Sequence, residues 1–111
     1  YGYVPDCGSV CRMLTQATGR SPEFIGKPEP RMALAAMQKT GFRPEETLMV
    51  GDRIYTDIAC GVNAGIDTVL VLSGETTAAD AAASAIRPTW MLQDVKELLQ
   101  KIQSNARSEN L

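Results

Sequence analysis

The stretch "GDRIYTDIACGVNAG", Gly51 to Gly65, leaves an apolar run, places Asp52 and Asp57 close together, and restarts at once as a helix. The residues before it, "TLMVG" at 47–51, form a continuous apolar run with the length of a strand buried on both faces. "IDTVLVL" after Gly65 is a second such run. A strand, a helix over about 56–64 and a second strand predict a βαβ crossover. The fold class is therefore α/β, a parallel sheet with helices on both faces.

The helix over about 56–64 contains two further signals. Thr56 is a plausible N-cap, and Asp57 lies in the first turn, where the helix dipole favours a negative charge. Gly61 inside this helix lowers stability by about 1 kcal/mol relative to alanine. We therefore expect Gly61 to permit a close approach of helix and sheet.

Two helices are expected before the first strand. One spans about 9–18 and ends at Gly19, with Cys7 and Cys11 packed on one buried face. The other spans about 30–40 and ends at Gly41.

Three elements are expected after the second strand. "TAADAAAS" predicts a short helix, and Trp90 to Leu92 predict a short edge strand with Trp90 in the core. "QDVKELLQKIQ" predicts an amphipathic closing helix, and the residues after Ser104 are expected to fray. The inward face of the closing helix is predicted to contain Val95, Leu98, Leu99 and Ile102.

Composition excludes several classes of function. The 111 residues are 44% hydrophobic with a formal net charge of -2, which suits one small globular domain. The chain has no basic block of the kind that binds nucleic acid or an anionic membrane. No apolar run approaches the ~20 residues that span a bilayer. The chain has no histidine, which excludes imidazole catalysis. Three cysteines without paired spacing indicate free thiols and a cytoplasmic location.

Asp52 is the first candidate for chemistry. Ligands of parallel α/β sheets gather at the carboxyl ends of the strands, where Asp52 leaves the strand at 47–51. Mg²⁺ prefers oxygen ligands and usually takes one or two protein carboxylates, so Asp52 is predicted to bind it with Asp57 in support. Asp57 alone is better explained as a helix-terminal charge. For the pair, metal binding is favoured, because a lone buried carboxylate is costly.

Lys27 in "GKPEP" is the second candidate. Gly26 and Pro28 place this lysine on a stiff loop, so its ammonium can be aimed at a phosphate or a carboxylate. Taken alone, a solvated surface lysine is the commoner explanation. The loop is not a P-loop, because Pro28 occupies the position of the Ser or Thr.

Taken together, "GKPEP", "TLMVGDRIYTDI", "ACGVNAGIDTVLVLSG" and "RPTWMLQDVKELL" resemble the haloacid dehalogenase (HAD)-like superfamily. The closest pattern is that of its NagD-like, p-nitrophenyl-phosphatase-type branch, and it extends from about Pro5 to Leu99. The resemblance implies that residues 1–103 form the C-terminal part of a Rossmann-like core. Residues 1–20 would return from a cap region, and 104–111 would form a flexible tail.

The resemblance also implies an activity and a role for each candidate residue. The activity would be Mg²⁺-dependent hydrolysis of a small phosphorylated metabolite, a sugar phosphate or nucleotide, through an aspartyl phosphate. Lys27 would balance charge on the nucleophile and the phosphoryl group. Asp52 would be a direct Mg²⁺ ligand, and Asp57 would support it.

Two features of the family pattern are absent from the sequence: the DxDGT-type motif and the later Ser or Thr that grips the phosphate. The DxDGT-type motif that carries the nucleophile is not present, and Asp6 stands in the unrelated context "PDCG". We expect that motif and most of the cap to lie upstream of Tyr1, so that this chain alone is inactive. Its sheet would then have an open edge, which predicts self-association or a homo-oligomer.

Two other functions compete with the phosphatase. One is a non-catalytic fragment or binding module that pairs with a partner through the open sheet edge. The other is a receiver-like signalling domain, which would have its acidic pair before its lysine. The order here is reversed, so that function ranks last.

Overall fold

Three short parallel strands build the sheet in the described part of the chain. They are β1 (Leu48–Gly51), β2 (Asp67–Val71) and β3 (Trp90–Leu92). They lie in the order β1-β2-β3, with Val50 opposite Val69 across the first pair. This computed structural model describes residues 4–108, with side chains through residue 105. The predicted α/β class and the predicted strand at Trp90 to Leu92 are confirmed.

The helices begin and end close to the predicted positions. Gly19 and Gly41 end the first two helices in the left-handed conformation, and their N–H groups donate to Thr15 and Met37 carbonyls at 2.9 and 2.8 Å. Both predicted stops are confirmed, because glycine adopts positive φ without a steric penalty. The helices are α1 (Cys7–Thr18), α2 (Arg31–Thr40), α3 (Ala59–Ala64), α4 (Ala78–Ala83) and α5 (Val95–Ser108).

Helices cover both faces of the sheet. Alternate residues of β2 point to opposite sides, so Val69 packs towards α5 while Leu70 packs towards α4. Among the described residues, the buried apolar side chains form three clusters. They are Ala33, Met37, Cys60 and Ile66; then Ile54, Ile58, Leu70 and Ala81; then Val69, Val71 and Leu92 with Leu98 against them.

Gly61 sets the distance between α3 and the sheet. A Cβ at this position would lie 2.3 Å from Thr68 Cγ2 and 2.9 Å from Met49 Cβ. No side chain fits there, so the close approach predicted from the sequence is confirmed.

The predicted inward face of α5 is largely wrong. Leu98 packs against the sheet, whereas Val95, Leu99 and Ile102 are 59%, 53% and 55% exposed. The physical reason is size, since β3 has 3 residues and offers little surface to a helix of 14 residues. Helix α5 also continues to Ser108, so the tail expected from residue 104 is helical through 108.

Burial of three other side chains also differs from expectation. Trp90 is 51% exposed at the edge of the sheet rather than in the core. Cys7 is exposed and Cys11 only half-buried, because α1 packs no residue fully against the rest of the described chain.

Residues 1–3 and 109–111, which belong to the predicted cap return and tail, lie outside the described residues. From residue 4 to residue 108, no helix combines the length and the apolarity that crossing a bilayer requires.

Candidate functional site

The candidate site lies at the carboxyl ends of β1 and β2. Asp52 directly follows β1, and the loop 73–76 follows β2 at the same edge of the sheet. Neighbouring parallel strands end on one side, so the segments after them meet there.

The turn after Asp52 is wider than an α-helical turn. Residues Ile54–Ile58 form a π-helical turn, in which the Ile58 N–H donates to the Arg53 carbonyl at 3.2 Å. The N–H of Arg53 donates to Oδ2 of Asp57 at 3.1 Å. Asp57 therefore caps the turn, and the prediction that Thr56 is the N-cap is wrong because Thr56 lies inside it. Such turns often occur at functional sites.

Asp57 is buried and holds Lys27. Its side chain is 8% exposed, and its Oδ1 forms an ion pair with the Lys27 ammonium. A Cβ on residue 51 would lie 2.2 Å from the Asp57 Cβ, so the glycine there makes room for this carboxylate. Both oxygens of Asp57 accept from donors, which suits a group that orients the lysine.

The loop that carries Lys27 is fixed to α3. The Asn63 side-chain amide donates to the Pro28 carbonyl at 3.0 Å, and the Cys60 thiol donates to the Glu29 carbonyl at 3.3 Å. Burial raises the pKa of the Cys60 thiol, which keeps it protonated as a donor. Helix α3 thus connects the "GKPEP" loop to the turn that contains Asp57.

Asp52 is enclosed by the loop after β2. The Glu75 N–H donates to Oδ2 of Asp52 at 2.8 Å, and the Thr76 N–H donates to the Asp52 carbonyl at 3.1 Å. A Cβ on Gly74 would lie 2.1 Å from the same Oδ2, so only glycine fits there. Among residues 4–108, no other residue donates a hydrogen bond to Oδ1 of Asp52.

The electrostatics of Asp52 favour its ionised form. The Glu75 N–H lowers the pKa of Asp52 most, and the charges of Arg53 and Lys27 lower it further. The Lys27 charge therefore lowers the pKa of Asp52 while the ammonium itself is paired with Asp57. The structure brings all three predicted residues to one edge of the sheet.

Three charged or polar residues beside Asp52 were not identified from the sequence. Glu75 forms an ion pair with the Arg53 Nε at 2.6 Å and accepts a hydrogen bond from the Tyr55 hydroxyl. Tyr55 and Glu75 also line an open cavity of 430 Å³. Exposed loop residues have no hydrophobic period, so their position after a strand is the only sequence signal that points to them.

The oxygen donors suit part of a Mg²⁺ shell. Mg²⁺ is usually held by one or two carboxylates, with water and phosphate oxygens completing its shell. In the described part of the chain, no group of three or more Asp, Glu, Cys or His side chains converges. Asp52 is the carboxylate best suited to such an ion. It is ionised, and its Oδ1 accepts no hydrogen bond from another described residue.

Comparison with known proteins gives a consistent family. Residues 24–98 match the family model described as HAD-hydrolase-like. Ribonucleotide monophosphatase NagD of Escherichia coli (strain K12) is 40% identical over 97 residues, which cover 87% of this chain and 39% of that protein. Dihydroxyacetone phosphatase of Corynebacterium glutamicum (strain R) is 41% identical over 97 residues, covering 87% of this chain and 35% of that protein.

A solved structure has the same fold over most of this chain. The 4-nitrophenylphosphatase from Thermotoga maritima superposes with a TM-score of 0.81 at 41% identity, covering 87% of this chain and 38% of that one. The chain thus spans about two fifths of the length of the NagD protein, 39%, and a similar share of this structure.

Proposed function

This chain belongs to the HAD-hydrolase-like family, and we propose that it forms the lysine- and Mg²⁺-binding part of a phosphatase for a small phosphorylated metabolite. The observation that carries the proposal is the ion pair between the Lys27 ammonium and buried Asp57, at the edge of the sheet where Asp52 follows β1. The relatives named above are phosphatases for a ribonucleotide, a triose and a nitrophenyl ester. Their substrates differ, but their common chemistry is phosphomonoester hydrolysis. A cytoplasmic location fits the three free cysteines of the described chain.

Lys27 supplies positive charge at the phosphoryl group. Phosphoryl transfer spreads negative charge over the phosphoryl oxygens, and catalysis depends mainly on positioning and charge stabilisation. Asp57 fixes the direction of the ammonium, and α3 fixes the loop that carries it. The lysine therefore needs little reorganisation during the reaction.

Asp52 would hold the Mg²⁺ ion. When bound, Mg²⁺ supplies Lewis-acid stabilisation of phosphoryl oxygens. The depressed pKa keeps Asp52 ionised, and the loop 73–76 keeps it in place. Asp57 supports this arrangement because it holds Lys27, whose charge lowers the pKa of Asp52 further.

We further propose that the nucleophile is an aspartate outside this chain. The absent DxDGT-type motif and the share of the relatives that the chain spans, 39% of NagD, support this. The 111-residue chain alone is then expected to hydrolyse p-nitrophenyl phosphate no faster than buffer containing Mg²⁺.

Variants of a longer protein that carries this sequence test the three roles. Lys27→Met is expected to lower turnover by about 10²–10³-fold, as the loss of one charge-stabilising donor does. Asp57→Asn is expected to lower it by about 10–100-fold, as the loss of a supporting partner does. Asp52→Asn is expected to weaken Mg²⁺ binding and to lower turnover more than Asp57→Asn. Steady-state kinetics over a range of Mg²⁺ concentrations measures all three.

Lys39→Met and Glu45→Gln are the matched controls, since both residues are exposed and neither contacts the site. They are expected to behave as wild type. A greater loss of Mg²⁺ affinity in Asp57→Asn than in Asp52→Asn would reverse the proposed ligand assignment. Turnover by the isolated 111 residues that disappears in Asp52→Ala would contradict the external nucleophile.

A second candidate function is a non-catalytic module that pairs through β1. Leu48 and Val50 on this strand are 39% and 37% exposed, which favours association. A longer open reading frame with a DxDGT-type motif upstream would decide for the phosphatase.

A further inference from the structure

The Glu75 side chain ties together the two segments that flank Asp52. Its Oε2 forms an ion pair with the Arg53 Nε at 2.6 Å, and its Oε1 accepts a hydrogen bond from the Tyr55 hydroxyl. Arg53 and Tyr55 begin the π-helical turn, whereas Glu75 belongs to the loop after β2. One carboxylate therefore closes a bridge between the turn and the loop.

This bridge contributes little to global stability. The side chains of Arg53 and Glu75 are 52% and 43% exposed, and exposed ion pairs add little to the stability of a fold. Its consequence is local, because the backbone N–H of the same Glu75 donates to Oδ2 of Asp52. Fixing the Glu75 side chain thus also fixes the donor that orients Asp52.

The bridge also engages the cation nearest to Asp52 in sequence. Arg53 directly follows Asp52 in the chain, and its Nε is paired with Glu75. While Glu75 holds the guanidinium, Arg53 is paired elsewhere and does not need Asp52 as its partner. Without Glu75, the guanidinium would be free to compete with a cation for the Asp52 carboxylate.

We propose that Glu75 is a positioning residue that holds the 73–76 loop on Asp52 and keeps Arg53 away from the oxygen available to a metal. This inference rests on the proposed role of Asp52. The interaction acts through the loop and through Arg53, so Glu75 itself touches neither the metal nor the substrate.

Hydrogen exchange and calorimetry on the 111-residue chain test the proposal. Glu75→Gln removes the charge and keeps the shape of the side chain. It is expected to speed amide exchange in the peptide that contains Glu75 and Thr76, and to raise the Kd for Mg²⁺ by about 10-fold. Glu45→Gln, which removes a comparable exposed carboxylate paired with Arg43 at 3.3 Å, is expected to change neither.

A second variant separates a local effect from misfolding. Tyr55→Phe removes one donor to Glu75 and is expected to change both readouts in the same direction by a smaller factor. Adding Arg53→Met to Glu75→Gln is expected to restore part of the Mg²⁺ affinity, because the competing guanidinium is gone. Unchanged exchange and unchanged affinity in Glu75→Gln would overturn the proposal.

The two readouts also distinguish this inference from the proposed function. If wild type binds no Mg²⁺ but Glu75→Gln still speeds exchange of the loop, the metal role of Asp52 fails and the loop-holding role of Glu75 stands. If wild type binds Mg²⁺ and Glu75→Gln affects neither readout, the proposed function stands and the role of Glu75 fails.

Discussion

On the residue scale, Gly61 offers a direct test of packing. Gly61→Ala would gain about 1 kcal/mol of helix propensity. Its new Cβ would, however, meet Thr68 Cγ2 at 2.3 Å, and overpacking of this kind costs about 1–3 kcal/mol. We expect a net loss in the free energy of unfolding, measured by urea denaturation.

Gly26→Ala is the control for that experiment. Apart from its two neighbours in the chain, no described residue places an atom within 4 Å of a Cβ built at Gly26, so this variant is expected to unfold near the wild-type midpoint. A Gly61→Ala chain at least as stable as wild type would show that α3 can move away from the sheet.

On the element scale, α4 depends on its N-cap. The Thr77 hydroxyl accepts from the Asp80 N–H at 3.2 Å, and the Asp80 carboxylate accepts from the Thr77 N–H at 3.0 Å. Thr77→Ala is expected to lower stability by about 1 kcal/mol, whereas Thr77→Ser retains the oxygen and is expected to stay close to wild type. Chemical denaturation of the three chains at neutral pH measures this.

The same cap predicts a dependence on pH. Hydrogen bonds from Thr77 lower the pKa of Asp80 below its ordinary value of 3.8. The stabilisation from ionised Asp80 is therefore fully present above about pH 3.8, and it is lost as the pH falls through the pKa of Asp80 in the folded state. The difference in the free energy of unfolding between wild type and Thr77→Ala is expected to become smaller over that acid range. A difference that stays constant down to the acid limit would indicate that the charge of Asp80 plays no part.

Local signals predicted the elements well and the turn after Asp52 poorly. Gly19 and Gly41 mark the ends of α1 and α2 because positive φ is a property of the residue itself. The capping role of Asp57 depends instead on its reach back to Arg53 within a π-helical turn, which spacing does not reveal. The bridge from Glu75 joins segments that only the sheet brings together.

On the scale of the whole molecule, the chain is elongated. Its radius of gyration is 17.2 Å, whereas a compact domain of about 100 residues has about 13 Å. Apolar patterns identified which side chains can be buried, but burial also needs a facing surface. Trp90 and Leu99 lack one within the described chain, which explains why their predicted burial is wrong.

Strand β1 is the clearest exposed apolar surface of the sheet. It pairs with β2 on one side and lies at the edge of the described sheet, where its other side presents unpaired backbone groups. Leu48 and Val50 add exposed apolar side chains, at 39% and 37%. An edge with both features is a template for pairing with another chain.

We therefore expect the 111-residue chain to self-associate, with an average mass that rises with concentration in sedimentation equilibrium. Val50→Lys places a charge on the edge and is expected to shift the chain towards monomer. Val62→Lys is the matched control, because it adds the same charge at a valine that is 50% exposed on α3. If β1 is the contact, Val62→Lys leaves the association unchanged. A chain that stays monomeric at all concentrations, or that responds equally to both lysines, would show that the β1 edge is not the contact and would also remove the main support for a partner-binding module.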